Sequence, residues 1–140
     1  MRFWDSSAVV PLVVQQAASP RVDEWLRDDG ELVLWSLTIV EVVSALRRLV
    51  REGLLAEDVA AEAEMRTEEL TLASHLVMDV ESVKVRARRL LRVHALRGAD
   101  ALQLGAALEW AQGRPDGRGL HTLDDRLALA ARLEGFSVIR

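Results

Sequence analysis

No cysteine occurs among the 140 residues, so disulfides, thiol nucleophiles and thiolate zinc sites are excluded. No run approaches the roughly 18 consecutive apolar residues that a spanning helix needs. The opening Met1-Arg2-Phe3-Trp4-Asp5 puts an acid where a signal peptide requires an uninterrupted apolar core. Lysine is nearly missing, with Lys84 the only one, and basic charge is in deficit: 18 Lys and Arg against 22 Asp and Glu leave a net −4. A protein that holds nucleic acid by plain phosphate neutralisation is usually basic, so a nucleic-acid substrate here would need a divalent cation or a local Arg stripe to attract it. Repeats, low-complexity tracts and long linkers are absent too. What remains, 50% hydrophobic and 29% charged, is a globular composition. We expect one domain over residues 1–140, soluble and cytoplasmic, with no membrane partner.

Short apolar segments alternate with longer amphipathic ones. Residues 2–5, 32–36, 76–79, 119–122 and 136–139 read as strands, and the unbroken apolar run Leu32-Val33-Leu34-Trp35 is that of a strand buried on both faces. Residues 6–16, 20–29, 38–53, 56–74, 81–94, 100–112 and 124–134 read as helices; in 38–53, Val42, Val43, Leu46, Leu49 and Val50 recur at three and four. This alternation predicts an α/β domain, a three-layer α/β/α sandwich with a mostly parallel central sheet. Strand order is not legible in the pattern.

Ligands in open parallel sheets bind beyond the carboxyl ends of the strands. Asp5 closes the first strand. Glu41 lies in the first turn after the second, and Asp124 and Asp125 follow the penultimate one. Asp100 opens a helix after the short break Arg97-Gly98-Ala99. Each has a local alternative: Thr38 to Glu41 fits a capping box, Thr122 to Asp125 a looser one, and Asp100 is an ordinary N-cap residue. Asp79 is expected to be a cap alone. Capping does not explain Asp5, nor why four acids should converge. Converging carboxylates repel unless a cation neutralises them. An all-oxygen donor set favours Mg²⁺ or Mn²⁺ over zinc, and the usual work of such a cluster is phosphoryl chemistry.

Four motifs in order, running from end to end, resemble the PIN-domain ribonucleases, and most closely the VapC-type toxins of bacterial toxin–antitoxin pairs. They are Phe3-Trp4-Asp5-Ser6-Ser7-Ala8-Val9-Val10, Ser36-Leu37-Thr38-Ile39-Val40-Glu41-Val42-Val43-Ser44-Ala45-Leu46, Arg97-Gly98-Ala99-Asp100-Ala101-Leu102-Gln103-Leu104, and Thr122-Leu123-Asp124-Asp125-Arg126-Leu127-Ala128-Leu129-Ala130-Ala131 followed by Gly135-Phe136. The resemblance implies a Mg²⁺- or Mn²⁺-dependent endoribonuclease that cuts single-stranded RNA to 5′-phosphate and 3′-hydroxyl ends. It implies Asp5, Glu41, Asp100 and Asp124 as the catalytic and metal-binding quartet, with Asp5 and Asp100 as direct ligands. Ser6 and Thr122 would orient the carboxylates. A cognate antitoxin and a homodimer are the implied protein partners. Gly98 and Gln103 depart from the family's usual residues, Ala and His, at positions expected not to touch the acids. The T-x-D spacing favours Asp124 over Asp125 as the fourth acid.

Arg97, beside Asp100, is the cation singled out for RNA; Arg86, Arg88, Arg89 and Arg92, and likewise Arg47, Arg48 and Arg51, read more simply as solvated helix faces. Trp4, Trp25, Trp35 and Trp110 are expected in packing rather than in base stacking, and His75, His94 and His121 as structural. Val10, Val13, Val14 and Trp25 are expected to offer an apolar face to an antitoxin or a second copy. A haloacid-dehalogenase-type phosphatase would need a second Asp where Ser7 stands. A receiver domain would need a late Lys, and Lys84 is mid-chain. The remaining rival is a non-catalytic PIN-like domain that binds RNA or protein, against which stand intact acids at all four positions.

Overall fold

The alternating segments fold as an α/β/α sandwich in a computed structural model that describes residues 1–140. The strands are β1 (Arg2–Trp4), β2 (Leu32–Trp35), β3 (His75–Val77), β4 (Gly119–His121) and β5 (Ser137–Ile139). They form one sheet in the order β3-β2-β1-β4-β5, every neighbouring pair parallel. The helices are α1 (Ser6–Val13), α2 (Ser19–Asp28), α3 (Thr38–Arg51), α4 (Glu57–Leu72), α5 (Val80–Val93), α6 (Gly98–Trp110) and α7 (Asp125–Glu134).

Successive strand residues point to opposite faces, and helices cover both. Phe3, Val33, Trp35 and Leu120 pack with Val83 and Leu90 of α5, Leu104 of α6 and Leu127 of α7. Trp4, Leu32 and Leu34 pack on the other face with Val9 of α1, Trp25 of α2, and Val42 and Leu46 of α3. Val10, Val13, Val14 and Trp25 belong to this second core and are buried, so the first helices do not offer them to a partner. Helices α5 and α6 approach tightly at Gly105, where a Cβ would sit 3.0 Å from the Val83 carbonyl oxygen and 3.2 Å from the Ala87 nitrogen.

Most element ends shift by one to three residues from the sequence reading, and two of these shifts bear on the placement of acids. The third strand begins at His75 and stops at Val77, because Asp79 turns the chain: its carboxylate accepts from Ser82 N (3.0 Å) and Ser82 Oγ (2.7 Å) and caps α5, as expected. Residues 97–99 are not a break. Arg97 is extended at the N-cap and α6 begins at Gly98, which makes Asp100 its third residue rather than its cap.

Trp4, Trp25 and Trp35 are buried, and Trp110 is partly buried under the Arg118 guanidinium, 4.9 Å from the ring centroid. His121 lies between Trp4 and Trp25, with centroids 4.2 and 4.7 Å away, and neither of its nitrogens is hydrogen-bonded. Burial, then the Arg2 charge, lowers its pKa to about 4, so the ring is neutral at physiological pH. No helix is long and apolar enough to cross a membrane.

Candidate active site

The sheet order fixes where the site forms. From β1 the chain passes through α1 toward β2 on one side; β4 lies on β1's other side and leads into α7 on the opposite face. The two loops leave adjacent strand ends in opposite directions, the arrangement that opens a crevice at a topological switch point. A cleft of about 670 Å³ lies there, and Asp5, Glu41, Asp100 and Asp124 all line it.

Asp5 is held in place by two backbone amides acting through two hydroxyls. Leu123 N donates to Ser7 Oγ at 2.9 Å, and Ser7 Oγ donates to Asp5 Oδ2. In parallel, Asp124 N donates to Thr122 Oγ1 at 3.0 Å, and Thr122 Oγ1 donates to Asp5 Oδ2 at 2.8 Å. Chains of this kind polarise each bond in turn. They tie the loop after β4 to the end of β1, where Asp5 N also donates to the His121 carbonyl (3.0 Å). The Ser7 amide adds a bond to Oδ2 at 3.3 Å, so Asp5 caps α1, which the sequence reading did not anticipate. Oδ1 keeps a single long contact, with Ser6 Oγ at 3.3 Å.

Glu41 is gripped at both oxygens, by Ser6 Oγ on Oε2 (2.9 Å) and by Gln103 Nε2 on Oε1 (3.0 Å). The capping-box reading of Thr38 and Glu41 is therefore wrong. Leu37 occupies the N-cap, and the Thr38 hydroxyl meets Gln103 instead. Asp124 is the N-cap of α7 and accepts from the Leu127 amide (2.8 Å), while Asp100, third residue of α6, reaches back to the amide of the N-cap Arg97 (3.2 Å), so both satisfy helix-terminal amides while lining the cleft.

Burial raises the pKa of Asp5 above the ordinary carboxylate range, against its hydrogen bonds from Ser7 and Thr122, and the Asp124 charge adds to the rise. Burial also raises Glu41, opposed by Ser6 and Gln103 and assisted by the charges of Asp5 and Asp100. Asp5 and Glu41 thus each feel at least one other carboxylate as repulsion. The donors are oxygens only, which fits a hard divalent cation. No three His, Asp or Glu side chains are grouped closely enough to hold a metal ion in this structure, so the fit lies in donor chemistry and mutual repulsion.

The PIN-domain family model matches residues 2–133. The chain belongs to the PIN-domain family. Two curated relatives from Mycobacterium tuberculosis, Ribonuclease VapC45 and Ribonuclease VapC49, are each 36% identical over 137 residues, covering 97% of this chain and 92% of the relative. Among solved structures, FitAcB from Neisseria gonorrhoeae superposes with a TM-score of 0.68 at 16% identity, covering 100% of this chain and 97% of the other. PAE2754 from Pyrobaculum aerophilum superposes with 0.67 at 23%, covering 98% and 87%. These two likenesses carry the PIN fold, and the relatives carry the ribonuclease resemblance.

The four acids expected from this PIN domain's sequence all reach the cleft. Asp125 does not: its side chain is 86% exposed and pairs with Arg140. Gln103 corrects the expectation that it avoids the acids, since it holds both Glu41 and Thr38. Ser7, to which the sequence reading assigns no part in the site, completes one of the two bond chains to Asp5. The available signals were a second hydroxyl directly after an acid that starts a helix, and a lone amide in the apolar run of α6. Arg97 is exposed and is not among the residues lining the cleft; Arg48 is. Arg86, half-buried, pairs with Glu109 of α6, and the exposed Arg89 pairs with Glu134 of α7, so both tie α5 to a neighbouring helix.

Proposed function

We propose that this PIN domain is an endoribonuclease that cuts single-stranded RNA, leaving 5′-phosphate and 3′-hydroxyl ends, and that it is the toxin of a VapBC-type pair. The observation that carries the reading is the convergence of Asp5, Glu41, Asp100 and Asp124 on one cleft at the switch point of the sheet. Relatives named as ribonucleases at 36% identity over 97% of the chain support it.

In this reading Asp5, Asp100, Asp124 and Glu41 hold Mg²⁺ or Mn²⁺. The ion, when bound, supplies Lewis acidity at the scissile phosphate and relieves the carboxylates' repulsion. The chain's own work is orientation. Ser7 and Thr122 consume the bonding capacity of Asp5 Oδ2 and leave Oδ1 for the ligand; Ser6 and Gln103 fix the Glu41 carboxylate so that it orients the attacking water. Arg97, at the exposed N-terminus of α6, is a candidate contact for approaching RNA. The partners proposed are an antitoxin and a second copy of the chain, working in the cytoplasm. The exposed Leu72, Leu76 and Met78 near edge strand β3 favour a second copy, and a strictly monomeric mass in solution would contradict that part.

Cleavage of a mixed, partly structured RNA pool tests the activity. Cutting with Mg²⁺ or Mn²⁺, abolished by chelator and leaving 5′-phosphate ends, is the expected result. Equal cutting in chelator, or 2′,3′-cyclic phosphate products, would overturn the metal mechanism.

A further inference from the structure

The cleft does not end at the acids. It continues between α1 and α3, past Val40 and Ser44, to Gln16 and Arg48. Glu41 and Arg48 are two helical turns apart on the same face of α3, about 10 Å along its axis. Arg48 is the only cation lining the cleft. It forms no ion pair, whereas its neighbour Arg47 is engaged by Glu57 (2.5 Å) and Glu64 (2.7 Å). An unpaired guanidinium thus faces the same cavity as four carboxylates without being drawn into contact with any of them. A planar fork of five donors in that position suits a phosphate oxygen.

We propose that Arg48, with Gln16 lining the same cleft, forms a subsite for an RNA backbone phosphate flanking the one that is cut, so that the strand lies along the α1–α3 groove. This rests on the ribonuclease reading above and specifies how that site holds its substrate. It also answers how an acidic protein keeps a polyanion: one cation stands outside the reach of the carboxylates, whose own charge a bound metal would neutralise. Gln16 adds an amide donor that carries no charge.

A cation in the last turn of a helix also stabilises the helix dipole, so the test separates Arg48 from Arg51, which shares that turn but does not line the cleft. Arg48→Ala, Arg48→Lys and Arg51→Ala are compared for steady-state cleavage of a short single-stranded RNA with Mn²⁺. Binding of the same labelled RNA is followed in parallel by anisotropy over a range of salt concentrations. We expect Arg48→Ala to raise KM and Kd about tenfold with kcat within about twofold, and to flatten the salt dependence of log Kd by about 0.7, the loss of one single-strand phosphate contact. Arg48→Lys should keep the salt slope, and Arg51→Ala should behave as wild type.

Equal effects of Arg48→Ala and Arg51→Ala, an unchanged salt slope, or no RNA binding by any of the proteins overturns the subsite. An effect only on capture by a protein partner, with RNA affinity intact, overturns it in favour of a protein-docking role. If the wild type binds RNA but cuts none, the salt slope still decides the subsite while the ribonuclease reading fails by itself.

Discussion

Replacing Gln103 with Leu tests whether the cleft is a held constellation or a set of unconnected helix caps. The side chain is 1% exposed, and Leu nearly conserves its volume, so packing changes little. What is lost is the Nε2 bond to the Glu41 carboxylate at 3.0 Å and the bond to the buried Thr38 hydroxyl at 3.1 Å. A hydrogen bond to a charged group contributes about 1.5–3 kcal/mol and a neutral one about 1. Glu41 is half-buried and water can partly replace the amide, so the low end applies; the sum is about 2–3 kcal/mol, or a fall in Tm of roughly 5–10 °C. The bond favours the ionised form of Glu41, whose pKa burial has already raised. Its contribution is therefore present at neutral pH and is lost as pH falls through the folded-state pKa of Glu41. The gap between wild type and variant should be widest near neutral pH and narrow, as pH falls through that raised pKa, to the part owed to Thr38, as read from denaturant melts across the range. Activity at neutral pH should drop about 10–100-fold, the usual cost of removing a partner that orients a metal-site ligand. A gap that does not change with pH, or wild-type activity in a folded variant, would refute the reasoning.

Neutralising a carboxylate should help the metal-free fold: Asp5→Asn and Asp100→Asn are expected to melt higher than wild type without metal, and lower midpoints would mean the acids are structural. For Asp5, whose folded pKa is raised, the gain should be present at neutral pH and fade as pH falls through that pKa. Mn²⁺ at about 100 times its Kd should stabilise wild type by roughly 2.7 kcal/mol, and Asp5→Asn should lose most of that rise in differential scanning. His121 works in the opposite direction: its pKa of about 4 against an ordinary 6.5 makes the fold lose roughly 3 kcal/mol as pH falls between those values. Because Asp5 and Glu41 offset this in any melt, NMR titration of the imidazole is the check, and a midpoint near 6.5 would contradict its burial between the indoles. Gly105→Ala should cost a net of about 1–2 kcal/mol, from roughly 2–3 of overpacking, the upper part of the usual range because the obstructing atoms of α5 are backbone, less about 1 of helix propensity; an equally stable variant would contradict the close approach.

The sandwich was legible because burial on two faces leaves a local trace: Leu32-Val33-Leu34-Trp35 has no polar residue to give a solvent side. Asp5, Glu41 and Asp124 were legible for a similar reason, each following an apolar strand segment, and Asp100 as the acid ahead of an apolar helix. Strand order left no such trace. Knowing that β4 lies beside β1 is what turns Thr122 and Leu123 into neighbours of Asp5 and Ser7. The role of Gln103 leaves no local trace, because its reach to Glu41 spans 62 residues, which no spacing rule reports. Asp100 was placed at a helix start two residues late, since Gly98 and Ala99 look like a break yet meet no obstacle to helix; Gly98 would have no atom within 4 Å of a Cβ. Capping and chemistry also proved compatible alternatives. Asp5, Asp100 and Asp124 each accept a helix-terminal amide and still line the cleft, so the caps position the acids.

The most direct test of a four-acid site is single-turnover cleavage of one RNA by Asp5→Asn, Glu41→Gln, Asp100→Asn, Asp124→Asn and Asp125→Asn, each first verified as folded by its melt. The account predicts that the first four lose cleavage by orders of magnitude while Asp125→Asn, which gives up only a surface pair with Arg140, cuts like wild type. Full activity in any of the four, or a loss in Asp125→Asn that matches them, would contradict it.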